Sequence, residues 1–409
     1  MAQHLDDLHD WFWRRLASRA RAPKNGIVEF QEPKTERLLE ADICIVTYCG
    51  FPGGNAVTTI TEAQTFRDAG YDVAIVNCSI KKSRWKWGWV SERYLAVSDL
   101  MYLGHRLRRI SCRTAIIRGP RMVTTRNFER LAKKMCPERA IFVINNSAYN
   151  EDGSAIFSWA DLHERIGALG WPAVEICPTG PIIRAECLRE MPAEEIDLSD
   201  RDWPPVIDAS AFQFTPRSQL SEPIVIGRHA RDHPGKWLDE RAELLRVYPD
   251  NDPSIRVSIL GGAETVDRDL GGIPCTWSVA PFGLNSVQDY LSTLDIFVNF
   301  PSPSRHEAFG RTIIEAILSG LPVILPSRFE ATFGELAFYC APQEVRNLIG
   351  KIAADDPGRM VFLQRAKEVA TDLFCSPSLL LRLDARTQNQ KPVLDGAAAR
   401  WRQTILSSL

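Results

Sequence analysis

At 409 residues the chain is too long for one ordinary core, and about 150 residues per domain suggests two or three, with two as the starting point. A hydrophobic fraction of 45%, a charged fraction of 24% and a formal charge of −2 exclude a disordered or fibrous chain, and the total charge gives no reason to expect a nucleic-acid partner. Ten cysteines with no C-x-x-C read as reduced cytosolic thiols, and no stretch approaches the ~20 apolar residues of a spanning helix; the N-terminus, with early acids at Asp6, Asp7 and Asp10, lacks a secretory layout. The expectation is a cytoplasmic protein, with peripheral attachment to the inner face of the membrane left open.

In chain order, Leu5, Leu8, Trp11, Phe12 and Leu16 recur at helical spacing and Arg14, Arg15, Arg19 and Arg21 make the stretch basic, so residues 1–40 read as a basic amphipathic extension that docks on the protein or lies in a membrane interface. The first clear strand runs from Ile43 to Tyr48, an apolar run suited to a sheet covered on both faces. A glycine-rich turn, Gly50 to Asn55, leads into a predicted helix from Ala56 to Ala69 stopped by Gly70, and then a strand from Asp72 to Cys78. Strand, turn, helix and strand make a βαβ unit with a right-handed crossover, and Ala115–Ile117 and Ala140–Ile144 extend the same parallel sheet. Between Lys81 and Arg126 the local charge is +10, leaving −12 for the remainder. A field so confined fits either a solvated face or an anionic partner such as a phosphate or lipid headgroups.

From Met191 to Ser221 the sequence is rich in Pro and acids and poor in periodicity, and the junction falls there: 41–215 is the first Rossmann-like domain and 222–385 the second, with 386–409 a C-terminal tail or helix. The second series contains a strand at Ile224–Gly227, a helix near Trp237–Val247, and strands at Ile255–Leu260 and Asp295–Phe300. A helix reaching Ser319, a strand at Pro322–Leu325, and helices over Glu344–Ala354 and Pro357–Leu383 follow. The expected fold class is α/β, two doubly wound parallel-sheet domains facing a central cleft.

The most informative segment is Arg305-His306-Glu307-Ala308-Phe309-Gly310-Arg311-Thr312-Ile313-Ile314-Glu315, followed by Ala316 and Ser319-Gly320-Leu321-Pro322-Val323-Ile324. Glu307 stands in a turn and Glu315 in the following helix; eight helical residues rise about 12 Å, so the two carboxylates can hold different parts of one ligand. Gly310 permits close backbone approach at a helix start, where unpaired N–H groups favour a phosphate.

This phrase resembles the Glu, seven residues, Glu motif of the GT-B retaining glycosyltransferases, in particular family 4, and the resemblance extends more weakly over about 42–383. It implies that Glu307 holds the donor sugar's hydroxyls, that Phe309 and Gly310 place backbone beside the sugar and pyrophosphate, and that Glu315 binds the ribose. The segment Gly227-Arg228-His229-Ala230-Arg231-Asp232-His233-Pro234-Gly235-Lys236-Trp237 is similar to the family's strand, G-R and lysine opening a helix, where Arg228 and Lys236 would neutralise the pyrophosphate. The loop is longer than usual and Trp237 replaces the customary glycine, so a share of the phosphate role for Arg231 or His229 stays open. Gly53 and Gly54 match the glycine loop that covers donor phosphates, with Asn55 read as a helix N-cap. The loop Thr276–Gly283 sits where the family binds the nucleobase, although Trp277 and Phe282 read more readily as core, since aromatics more often pack than serve as platforms.

Lys81-Lys82-Ser83-Arg84-Trp85-Lys86-Trp87-Gly88-Trp89 mixes cations and indoles where the family places its acceptor, which suits a polyprenyl-linked saccharide at an anionic membrane surface. No metal-ligand spacing, G-x-S-x-G or Walker loop is present, so no metal and no cofactor beyond the nucleotide-sugar co-substrate is expected. The resemblance thus implies retaining transfer of a hexosyl group from a UDP- or GDP-sugar to a saccharide or lipid-linked acceptor, in bacterial surface or exopolysaccharide synthesis. A non-catalytic nucleotide-sugar-binding scaffold and a GT-B-like epimerase are the alternatives.

Overall fold

The computed structural model describes residues 26–30, 37–81, 88–150, 153–192, 195–283, 286–304, 307–384 and 389–407. The helix expected at 5–22, residues 82–87 of the cationic aromatic stretch, and Arg305 and His306 lie outside them.

Apolar runs such as Ile43–Val46, Val73–Val76 and Ala115–Ile117 lie within strands because both faces of a parallel sheet are covered. In the first sheet these are β2 (Leu38–Thr47), β3 (Val73–Asn77), β5 (Met101–Leu103), β6 (Arg109–Arg118), β7 (Met135–Ile144) and β8 (Val174–Pro178). They are ordered β5-β3-β2-β6-β7-β8. Ile45, Val46, Ile75, Val76, Ile116 and Phe142 are buried. Strand β2 begins five residues before the predicted strand, because Leu38–Ala41 pairs in register with Arg109–Cys112 of β6 despite its polar positions. A short antiparallel pair, β1 (Ile27–Glu29) with β4 (Trp89–Ser91), was not predicted.

The second sheet is β11-β10-β9-β12-β13-β14, built from β9 (Ile224–His229), β10 (Ile255–Leu260), β11 (Ser278–Ala280), β12 (Ile296–Val298), β13 (Val323–Leu325) and β14 (Phe338–Tyr339), and every registered pair in it is parallel. Counting each sheet's own strands from its first, both follow the doubly wound order 3-2-1-4-5-6. Two compact units result, Met1–Phe142 with Asp161–Glu175, and Val143–Ala160 with Ile176–Leu409.

Several local expectations are corrected. Helix α1 (Gly54–Asp68) is capped by Gly53, not Asn55; Asn55 lies inside it and spends its side chain on Thr47 and Arg118. Trp237 is extended at φ −121° and ψ 153°, Lys236 ends a 3₁₀ turn (Pro234–Lys236), and the α-helix begins at Arg241. The helix expected over 357–383 is two, Asp356–Phe374 and Ser376–Leu383, broken where Cys375 turns extended. The tail carries a helix, Gly396–Ser407, whose Trp401 packs edge-on against Phe338 at 5.7 Å.

Candidate functional site

The second unit gathers the charged residues at the carboxyl end of β9. Gly227 is required there: a Cβ would lie 2.2 Å from the Ser258 carbonyl oxygen on β10 and 2.6 Å from the Tyr290 hydroxyl. The close approach lets Tyr290 donate to the Arg228 carbonyl at 2.9 Å and fixes the strand end.

Arg228 is buried, its guanidinium 4.5 Å from the Trp237 ring centroid and donating to the Lys236 carbonyl. Trp237 in turn stacks on Trp277, with centroids 6.3 Å apart and 19° between planes. Trp277 is therefore core, whereas Phe282 is 43% exposed, contrary to the core reading of that ring. Asp232 locks the loop: one carboxylate oxygen accepts from Trp237 Nε1 and the other from the Thr265 amide, each at 2.8 Å. Burial pushes its pKa up, but hydrogen bonds involving Glu264, Trp237 and Thr265 outweigh burial and hold it below the ordinary aspartate value.

This loop carries Lys236 to Glu307, and the two side chains form a part-exposed ion pair. The Ser302 amide donating to the Gly235 carbonyl at 3.3 Å tethers the two loops. Arg328, which sequence reasoning missed, donates to the carbonyls of Pro301 and Ser302; burial lowers its pKa, while the Glu307 charge works the other way.

Phe309 is buried and meets Phe333 and Phe374 edge-on, each at 5.5 Å, so its ring anchors the turn while its backbone leads into Gly310. Gly310 has φ +94° and caps helix α2 (Arg311–Leu318). That left-handed conformation, more than closeness of approach, is why glycine stands there. One turn on, Glu315 is buried between Arg311 Nε at 2.9 Å and His229 Nε2 at 3.2 Å. Burial raises its pKa, but His229 and Arg311 together bring it below the ordinary glutamate value, so it is held as a carboxylate.

The structure thus brings Arg228, Lys236, Glu307, Phe309, Gly310 and Glu315 into one unit at the end of one sheet. Gly53 and Gly54 belong to the other unit, at the start of α1. His229 faces Glu315, and Arg231 is exposed. Among the described residues no group of three or more His, Cys, Asp or Glu is placed to hold a metal ion, and no helix is long and apolar enough to cross a membrane.

Two six-stranded parallel sheets, each doubly wound in the same order, are the architecture of the GT-B glycosyltransferases with their two Rossmann-like domains. Among solved structures, HepE of Anabaena in complex with UDP and glucose aligns at a TM-score of 0.58 with 14% identity, over 84% of this chain and 98% of that one. Sucrose-phosphate synthase from Thermosynechococcus elongatus aligns at 0.56 with 16% identity, over 85% and 98%. WaaG, a glycosyltransferase involved in lipopolysaccharide biosynthesis, aligns at 0.50 with 13% identity, over 85% and 100%. At such identities the likeness is one of fold. Sulfoquinovosyl transferase SQD2 of Arabidopsis thaliana is 28% identical over 173 residues, 37% of this chain and 32% of that protein, so the match spans about a third of its length. No family model matches the chain.

Proposed function

We propose that the protein is a retaining glycosyltransferase of the family 4 type that moves a hexosyl group from a UDP-sugar to a saccharide or lipid-linked acceptor, without a metal. The observation that carries this reading is the Lys236–Glu307 pair, cation and carboxylate side by side at the end of β9. A sugar nucleotide needs both: a cation for the diphosphate that departs, and a carboxylate for the hydroxyls of the sugar that stays behind. Lys236 would exchange Glu307 for phosphate oxygens on donor binding, freeing Glu307 to orient the sugar. Arg228 would support the same phosphates through the loop it braces, the α2 N-terminus at Gly310 would receive the pyrophosphate, and Glu315 the ribose.

In this reading the departing phosphate takes the acceptor's proton on the face it leaves, which retains configuration and requires no protein base. UDP is favoured because HepE, which shares the fold, was determined with UDP and with UDP-glucose. The acceptor would meet the first unit through Gly53, Gly54 and its basic surface. A 470 Å³ cavity in that unit, bordered by His105, Arg130, Lys133 and Lys134, would suit a phosphate-bearing acceptor, with Lys133 exchanging its partner Glu129 for the phosphate. A role in surface polysaccharide synthesis at the cytoplasmic face follows from that acceptor chemistry.

The test is titration with UDP, GDP, ADP and their sugar conjugates, following thermal stability and released sugar. A nucleotide at a hundred times its dissociation constant stabilises the native state by about 2.7 kcal/mol. UDP should do so for the wild type and much less for Lys236→Ala. Absence of any nucleotide effect on folded protein would overturn the reading; binding without transfer or donor hydrolysis would leave a scaffold.

A further inference from the structure

His229 lies at the last position of β9 and is 3% exposed, enclosed by the rings of Tyr290 and Phe297 with centroids 6.4 and 5.8 Å away. A buried imidazole needs a polar partner, and the one it faces is Glu315, 3.2 Å from Nε2, within ion-pair range but outside hydrogen-bond geometry in this structure. Arg311 takes the other carboxylate oxygen from within the same helix. Each oxygen of Glu315 therefore has its own cation or imidazole beside it, one from the helix and one from the strand, which restricts the terminal torsion of a flexible side chain. A carboxylate offers about four acceptor positions, so two cations or donors leave room for two hydroxyl groups.

We propose that His229 is a positioning residue: it holds Glu315 in the orientation that receives the two ribose hydroxyls of the nucleotide, and does not itself contact phosphate. This rests on the donor-site reading above. Arg311 alone would let the carboxylate pivot about one oxygen, and the ligand would then have to freeze that motion itself.

The test compares His229→Leu and His229→Gln, each in the wild-type and Glu315→Gln backgrounds, for calorimetric binding of UDP and of 2′,3′-dideoxy-UDP, with thermal unfolding as the folding check. His229→Leu should weaken UDP about tenfold, the scale of one contact to a charged group. It should leave dideoxy-UDP unchanged, and it should add no further loss once Glu315→Gln is present. His229→Gln, which keeps a donor of similar reach, should recover part of the affinity. Equal losses for both nucleotides, additive losses, or no loss would overturn the proposal. If His229→Leu fails to fold, His229→Gln against the shorter His229→Asn makes the same comparison. Should the wild type bind no nucleoside diphosphate, the function and this inference fall together. Should it bind UDP and respond to Lys236→Ala while His229→Leu is silent, only the role of His229 falls.

Discussion

Each sheet reverses its strand order once, between β2 and β6 in the first and between β9 and β12 in the second, and such reversals are where open α/β sheets take their ligands. The protein fills these two equivalent places differently. At the first, Arg118 donates to Glu62 at 2.7 Å and to Asn55 at 3.2 Å, and Asn55 donates to Thr47 at 3.1 Å. Arg118 and Glu62 are 1% and 0% exposed, a closed knot that ties α1 to the strand ends. At the second, Lys236 and Glu307 are 31% and 21% exposed on loops that water and solutes reach. The same pairing of cation with carboxylate therefore serves two ends. Buried, it fixes a crossover out of reach of solvent; half-open, it can be exchanged for a ligand.

The sharpest way to break that contrast is Glu62→Ala. Removing one partner of a buried pair strands the other charge, at a cost of about 3–5 kcal/mol. Urea unfolding should show a loss of that size, and Glu62→Leu with Arg118→Met should be milder than Glu62→Ala because no unpaired charge remains. A loss below about 1 kcal/mol would place this pair with exposed ones and remove the distinction.

Next in size is Gly310→Ala. An alanine at φ +94° pays about 1–2 kcal/mol for the left-handed conformation, and its Cβ would lie 2.7 Å from Ile313 Cδ1. A lower unfolding midpoint with unchanged secondary structure is expected. Acid adds a smaller effect through Glu315. Its pKa is lowered in the folded state, so the unfolded chain binds the proton more tightly. The stability it contributes is present above the ordinary glutamate pKa and is lost as pH falls through the lower, folded value. Glu315→Gln should flatten that part of the acid limb of stability against pH, and an unchanged slope would show that His229 and Arg311 do not hold the carboxylate ionised.

Much of this organisation was legible in the sequence where periodicity and chemistry agree. The runs at 43–46 and 73–76 became buried strands because nothing polar interrupts them, and 255–260 became a strand that buries Ile255, Val257, Ile259 and Leu260 while Arg256 stays exposed. The phrase from Glu307 to Glu315 became a turn and a helix because Gly310 could take its positive φ. Short strands such as Phe338–Tyr339 left no pattern long enough to read. Asn55 looked like a cap because nothing local announces a partner as distant in sequence as Arg118. The same holds for His229 with Glu315, for Arg328 near Glu307, and for the burial of Arg118, which takes one charge of the basic run away from the surface.

The smallest stability effect belongs to the half-open pair, and it decides most. Lys236→Ala and Glu307→Gln should each change unfolding free energy by no more than ~1 kcal/mol, as expected when water can take over from the lost partner. Nucleotide affinity should fall for Lys236→Ala, while Glu307→Gln should weaken UDP-glucose relative to UDP, since its carboxylate is assigned to the sugar. Stability and binding would then separate at β9–β12, whereas at β2–β6 stability alone is at stake. A loss of several kcal/mol on Lys236→Ala would instead make this second pair a structural clamp. The place for a ligand's charge would then have to be sought elsewhere along the same strand ends, with Arg328 the first cation to try because it already feels the charge of Glu307.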